Sequence, residues 1–421
     1  MAAHASHLAH GTKTISIHPV LRPISFCVLL AFWSAAGTAA AQTAPGDVEL
    51  APSYVTDQAQ TESSARHSFG VTTIGAKALT ERRLESVEQV LQSTPGVSVN
   101  SSGGVLDNNV YIRGVGSLYQ SSLDDLIYGL SVDGVQVPSR YLSLGTLDAE
   151  RVSILKGPQG TRTSASGAAG LIDIDRRRAT LRTDAYLRGE IGQDGKNLEE
   201  AAFGGALTDK INGRIAIRHS GEHSWINNSL TGDPVSKPDD LAYRASLSGE
   251  LTSRTFFELN ASQEWVKEMP NLLVLRPYGP SPSLALPPDL YKNLEQKFGL
   301  YSLRVGHDFD NSRLSATSGY TSMDFNRVVA YDRSLYQALY GSPSWYWQTY
   351  QGSEHTFSQD LRWESLPGAA VAWNVGGYFS RGTRSQNTLN NPPAPGYIAT
   401  RDYETKRYAM YGEVSYAGCS R

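Results

Sequence analysis

From Asp184 onward the chain is written in a period of two. Ala185, Leu187, Gly189 and Ile191 alternate with Tyr186, Arg188 and Glu190. Ile211, Gly213, Ile215 and Ile217 alternate with Asn212, Arg214, Ala216 and Arg218. The runs Leu241 to Leu247, Val371 to Phe379 and Tyr408 to Tyr416 repeat the pattern, with polar turns between them. A strand points successive side chains to opposite faces, so each run presents one apolar and one polar face. Two architectures satisfy that rule. One is a soluble sandwich; the other is a membrane barrel with lipid on one face and a polar lumen on the other.

Composition narrows the choice. The chain has 421 residues, a net charge of -3 and 19% charged residues, which argues against a nucleic-acid-binding face. A mean hydropathy of -0.33 and the lack of a long apolar run after the N-terminal region exclude a helical membrane protein. A strand-built membrane protein stays open, because alternating strands are only weakly hydrophobic. Lys13 and Arg22 lie before or at the edge of an apolar stretch, Ile24 to Trp33. No acid occurs before Asp47, and Ala39, Ala40 and Ala41 precede Gln42. That is the pattern of a secretory signal peptide, residues 1–41, cleaved near Ala41. His4, His7, His10 and His18 precede its apolar core and are read as removed with it. Of the two cysteines, Cys27 and Cys419, one then remains, so no internal disulfide is expected.

Residues 42–66 are polar, contain Pro45 and Pro52, and read as a flexible arm. Residues 67–178 read as a small mixed domain. Ala76 to Leu91 is expected as helix, with a capping-box pattern at Ser86 and Gln89 and an apolar face of Val87, Val90 and Leu91. Thr94, Pro95 and Gly96 stop it. Val97 with Val99, and Val110 with Ile112, alternate as strands. YIRGVG follows at Tyr111 to Gly116 and LSVDGV at Leu130 to Val135. Glu150 to Ile174 reads ERVSILKGPQGTRTSASGAAGLIDI: a strand, a turn at Gly157, Pro158 and Gly160, a small-residue tract, and a second strand. A phosphate loop would run from its glycines into a helix, whereas here Lys156 precedes the glycines and a strand follows. Asp133 with Gly134 reads equally well as a plain turn.

Taken in this order and spacing, the three motifs resemble the plug domain of TonB-dependent outer-membrane receptors. The first motif contributes Arg113 and Gly114, the second Asp133 and Gly134. The third contributes Glu150, Arg151, Leu155, Lys156, Gly157, Pro158, Gln159, Gly160 and Thr161, with Gly170, Ile172 and Ile174 after it. The family usually continues with Leu, Tyr, Gly and Arg, where this chain has Arg162, Thr163, Ser164 and Ala165. Its first paired glycine is Ala169 here.

The resemblance implies a mainly β protein. A small α+β plug (residues 67–178) precedes a partial antiparallel transmembrane β-barrel (residues 179–421), in the outer membrane of a Gram-negative bacterium. It implies uptake of a scarce nutrient, most often a ferric siderophore, driven through TonB, with no covalent chemistry and no cofactor. No residue separates a ferric siderophore from haem, cobalamin or a glycan. The TonB box would lie in the arm, with Asp47, Val48, Glu49 and Leu50 as one candidate and Ser53 to Thr56 as its rival. A partner that adds a strand needs only an extended segment with free backbone groups.

Physical reasoning adds further expectations. Arg113, Glu150 and Arg151 are costly to bury unless paired, so they are expected to face barrel-wall carboxylates or one another and to lock the plug. A solvated surface pair is the alternative for each. Proline-rich Lys267 to Gln296, aromatic Val329 to Gly352, and Asn387 to Thr400 are expected as long extracellular loops. The aromatic side chains would grip a ligand, rest on lipid headgroups or rest on one another.

Two other function classes compete. An enzymatic barrel requires a poised nucleophile or a His and acid cluster. His219 and His223, four apart on a strand pattern, point to one face but not at one ion. A structural barrel requires no plug. Alternation and turns place roughly ten strands after Asp184, whereas plugged transporter barrels have about 22. The last strand stops abruptly before Ala417 to Arg421. The expectation is a receptor truncated or frameshifted after about Tyr416, with a genuine short protein as the alternative. A non-functional truncated fragment then stands beside the non-transporting barrel as an alternative to transport.

Overall fold

Both classes of element fold as their local patterns require. The structure is a computed structural model that describes residues 70–101, 108–116, 127–138, 143–160, 167–267, 271–272, 275, 283–287, 295–391 and 399–416. The signal peptide and the arm with both TonB-box candidates lie outside the described residues.

The first part is a small α+β domain. It comprises β1 (Gly70–Gly75), α1 (Ala76–Glu81), α2 (Val87–Gln92), β2 (Val97–Ser101), β3 (Asn108–Ile112), β4 (Val115–Gly116), β5 (Tyr128–Val132), β6 (Val135–Val137), β7 (Ala149–Lys156) and β8 (Gly170–Arg176). A five-stranded sheet runs in the order β1-β7-β8-β5-β6, and β2, β3 and β4 form a second, small sheet. β5 and β8 pair in parallel, and the other pairs of the larger sheet are antiparallel. Ile154 and Ile172, which face each other across β7 and β8, are fully buried.

The helix expected over residues 76–91 is two helices. Arg83 stands at φ 54 between them, and the capping box starts a new helix rather than continuing the old one. The Ser86 hydroxyl accepts from Gln89 N at 3.3 Å, and Gln89 Oε1 accepts from Glu85 N at 2.7 Å. Arg113 with Gly114 and Asp133 with Gly134 all have positive φ, between paired residues Ile112 and Val115 and between Val132 and Val135. These are two-residue hairpin turns of the mirror-image type, which match strand twist.

The second part is an antiparallel meander. Its elements are β9 (Asp184–Ile191), β10 (Asn197–Ala206), β11 (Ile211–Gly221), β12 (Asn227–Asn228), β13 (Asp239–Thr252), β14 (Thr255–Lys267), β15 (Asn271–Leu272), β16 (Ser283–Leu284), β17 (Glu295–Asp308), β18 (Ser312–Tyr331), α3 (Arg333–Tyr340), β19 (Tyr346–Ser365), β20 (Val371–Asn391) and β21 (Ala399–Tyr416). The long strands pair in chain order, with β9 and β21 at the two ends of the order among the described residues.

Period two does what physics requires. Leu187, Ile191, Tyr408 and Met410 are exposed on one face, while Arg214, Arg218, Arg244 and Tyr411 are buried on the other. Aromatic pairs mark both edges of the outward face: Tyr243 with Trp265 near the long connections, and Trp363 with Trp373 near a short turn.

The loops expected at residues 329–352 and 387–400 are shorter than the sequence suggested. β18 runs to Tyr331, β19 starts at Tyr346, β20 runs to Asn391 and β21 starts at Ala399. Aromatic residues there keep the strand alternation, so the strands continue past the outward apolar band.

Candidate functional site

The contact that organises the molecule is a six-residue finger, residues 143–148, between β6 and β7. The α1–α2 linker pins it to the plug. Val87 N donates to Leu144 O at 3.0 Å, Thr146 N to Glu85 O at 3.0 Å, and the Thr146 hydroxyl to Leu84 O at 2.7 Å. From that base it reaches the inward face of the strands. Gly145 N donates to Glu264 Oε2 at 3.1 Å, and a Cβ on Gly145 would collide with the Arg218 guanidinium. Leu147 packs with Ala202, Ala216 and Ala242, three small residues that leave room for it.

Asp148 ends the finger at φ 55. Its carboxylate is fully buried between two arginines that are each 2% exposed. Arg214 binds it through two nitrogens, Nε to Oδ2 at 2.7 Å and Nη2 to Oδ1 at 2.6 Å. Arg244 Nη1 donates to Oδ2 at 2.9 Å, and its Nη2 donates to Arg177 O at 3.0 Å. Arg214 also reaches Asp184 at 3.0 Å. Such charges are tolerated in a buried place only when paired and hydrogen-bonded.

The seam continues at Glu85. Its carboxylate lies 3.2 Å from Arg188 and 3.9 Å from Lys196, and its carbonyl accepts from Arg218 at 3.3 Å. Here the wall supplies the cations and the plug supplies the acids. Arg83 with Glu190 at 3.3 Å and Arg178 with Glu258 at 3.0 Å run the other way.

A second contact is apolar. Phe298 and Leu300 of β17, with Met323 and Phe325 of β18, join the core of the plug. Val135 sits so close to Gly319 that a Cβ there would collide with it. Tyr378 of β20 donates its hydroxyl to Gln136 Oε1 at 2.9 Å.

The residues expected to lock the plug lie elsewhere. Arg113 is exposed at its hairpin tip beside Gly114, with its guanidinium over Gly70. Glu150 is 62% exposed and faces Arg177 at 3.6 Å, and Arg151 pairs with Asp175 at 2.8 Å. All three lie against plug residues, and the contacts with the wall are carried by Glu85 and Asp148 instead. Lys156 donates to Pro95 O at 2.6 Å and ties β7 to the turn before β2. Gly157, at φ 112, and Pro158 to Gly160 form the turn after β7, where Gln159 Nε2 donates to Gly157 O at 3.1 Å.

Asp133 accepts from both the backbone N and the Nε of Arg176, at 2.9 and 2.7 Å. Burial works against its carboxylate, but Arg176, with Arg244 farther off, outweighs burial and holds the pKa below the ordinary range. Asp133 is thus both a turn residue and an anchor for the end of β8.

One sequence signal pointed to the true seam. Arg188, Arg214, Arg218 and Arg244 all stand in the inward set of the alternation, and buried arginines demand acids. Which acids answer them is not readable from the strands.

At the edge of the apolar contact, two inward arginines lie on rings that pack in it. Arg327 lies 5.4 Å from the Tyr350 ring centre and Arg384 5.6 Å from that of Phe325. Arg384 Nη2 also donates to Gln386 at 2.6 Å.

A small α+β domain seated by a buried ionic seam against the polar face of an apolar-backed meander defines a plug-and-barrel protein. Residues 64–171 match the TonB-dependent Receptor Plug Domain family. The chain thus carries a TonB-dependent receptor plug domain, followed by a meander similar in fold to the barrel strands of such receptors. The pesticin receptor of Yersinia enterocolitica is 23% identical over 391 residues, covering 89% of this chain and 54% of that protein. A ferric-pyoverdine 358 receptor of Pseudomonas putida is 25% identical over 160 residues, 37% of this chain and 19% of that protein. The structure of the ferric yersiniabactin uptake receptor FyuA from Yersinia pestis superposes with a TM-score of 0.72 at 17% identity, over 84% of this chain and 55% of that one. The chain thus spans about half the length of FyuA and of the pesticin receptor, and less of the pyoverdine receptor.

Proposed function

We infer that the chain serves TonB-driven uptake of a ferric siderophore across the outer membrane. The observation that carries this reading is the plug itself, seated on the inward wall through Asp148, Arg214 and Arg244. A plug held this way closes a lumen and has to rearrange for passage. The positive charges of Arg327 and Arg384 on the inward face favour an anionic ligand. The printed names of the similar receptors, for ferric pyoverdines and ferric yersiniabactin, support the same ligand class.

TonB would pair with the arm at Asp47 to Leu50 or Ser53 to Thr56. Deleting residues 47–56 is expected to leave binding of a ferric siderophore intact, read by tryptophan fluorescence, and to abolish uptake of radioactive iron under iron limitation. Undiminished uptake by the deletion variant would sink the energy-coupling part of this reading.

A further inference from the structure

The chain leaves the plug through Arg176-Arg177-Arg178-Ala179-Thr180-Leu181-Arg182 and enters β9 at Asp184. This linker lies at the end of the strands that carries the short turns, which in such barrels is the periplasmic end. There it forms a cavity of about 270 Å³ whose charged lining includes Arg177, Arg178, Arg182 and Arg214, against Glu150 and Asp184.

The four arginines differ in what they already hold. Arg214 is saturated by Asp148 and Asp184, and Arg178 holds Glu258 while remaining 40% exposed. Arg177 lies 3.6 Å from Glu150 and 3.7 Å from Asp184, beyond hydrogen-bond reach. Its Nε is buried with no hydrogen-bond partner among the described residues. Arg182 is exposed and forms no ion pair among the described residues. Arg177, held loosely by Glu150 and Asp184 and lying 5.4 Å from the Tyr186 ring centre, and Arg182 therefore line the cavity with donor capacity that is not fully used.

Beside them Leu181 is 60% exposed, and Leu187, Phe203 and Leu207 continue an apolar outward surface. Arginines next to exposed leucine at the edge of an apolar band suit the boundary between phosphate headgroups and acyl chains.

The geometry points to a phosphate-binding site at the periplasmic mouth, formed by Arg177 and Arg182 and occupied by the headgroup phosphate of an anionic phospholipid. Planar guanidinium donors match phosphate oxygens, and each added arginine near an anionic surface strengthens the attraction. Transport plays no part in this site, so the proposal stands or falls apart from the uptake reading.

The test uses the full chain in neutral detergent micelles, with fluorescent short-chain phosphatidylglycerol, phosphatidylcholine and inorganic phosphate as probes. Phosphatidylglycerol is expected to bind in preference to phosphatidylcholine. Arg177→Gln with Arg182→Gln should weaken phosphatidylglycerol binding by about tenfold. Leu181→Ser should weaken binding of the lipid without changing that of inorganic phosphate. Inorganic phosphate bound with the same arginine dependence, and no lipid preference, keeps the site but assigns it to soluble phosphate. Equal binding of phosphatidylglycerol to the wild type and the double variant overturns the proposal, as does no binding of either anion. Arg182→Gln alone alters an exposed side chain and keeps the test valid should the double variant fail to fold.

Discussion

The plug meets the wall in two unlike ways. Toward β9 to β14 the contact is ionic, built from Glu85 and Asp148 against Arg188, Arg214, Arg218 and Arg244. Toward β17 to β20 it is apolar or neutral, built from Phe298, Leu300, Met323 and Phe325, the Val135 contact with Gly319, and one hydroxyl on Gln136. The difference matters because the two kinds of contact constrain motion differently. A bidentate arginine–carboxylate pair fixes an angle and a register. Apolar contact is non-directional and tolerates sliding as long as area stays buried. The ionic side therefore orients the plug, and the apolar side is where it can slip first.

The largest effect should come from Asp148. Asp148→Ala leaves Arg214 and Arg244 buried without their shared acid, a change that costs about 3–5 kcal/mol. Expected outcomes are earlier thermal release of the plug, read by proteolysis of residues 143–156, and greater antibiotic entry. If the variant resists proteolysis as well as the wild type does, the ionic side is not what orients the plug.

Gly319→Ala acts on the other side. Its Cβ would meet the Val135 side chain and the Ser358 hydroxyl, and overpacking of this kind costs about 1–3 kcal/mol. The apolar contact should loosen while the ionic one persists. A cysteine pair at positions 136 and 378 would then cross-link more slowly than in wild-type background. An unchanged rate would mean that the close approach is not sensed.

The smallest effect belongs to the residues the motifs drew attention to. Arg113→Ala and Glu150→Ala remove exposed side chains, and changes of this kind stay within about 0.5 kcal/mol. Antibiotic entry in both variants should match the wild type. A leak comparable to that of Asp148→Ala would restore the locking role expected of them and would remove the distinction between the two sides.

The sequence motifs stayed informative about local structure while failing on contact. Arg113 with Gly114, and Asp133 with Gly134, are turn residues because both positions of a mirror-image turn require positive φ, a purely local demand. Ser86 and Gln89 were legible as a cap for the same reason, although the helix before them ended sooner than its apolar spacing suggested. The true seam residues, Glu85 and Asp148, sit one and two positions away from the motif residues Ser86 and Glu150 and look like ordinary surface acids.

What the sequence determined by itself is therefore whatever has a period or a fixed offset. It set the strands, their inward and outward faces, the two hairpin turns, and the arginines that would be buried. Those depend on backbone geometry repeating every two residues, or on torsions at adjacent positions. The tertiary structure alone decided which acid answers each arginine. Arg214 and Asp148 are 66 residues apart, and Arg244 and Asp148 are 96. Pairing across such distances depends on where one finger of the plug lands on four strands, β10, β11, β13 and β14, and Leu147 in its socket of three alanines guides that landing. No local pattern carries that placement, because the energy that selects it exists only once both surfaces are folded and desolvated together.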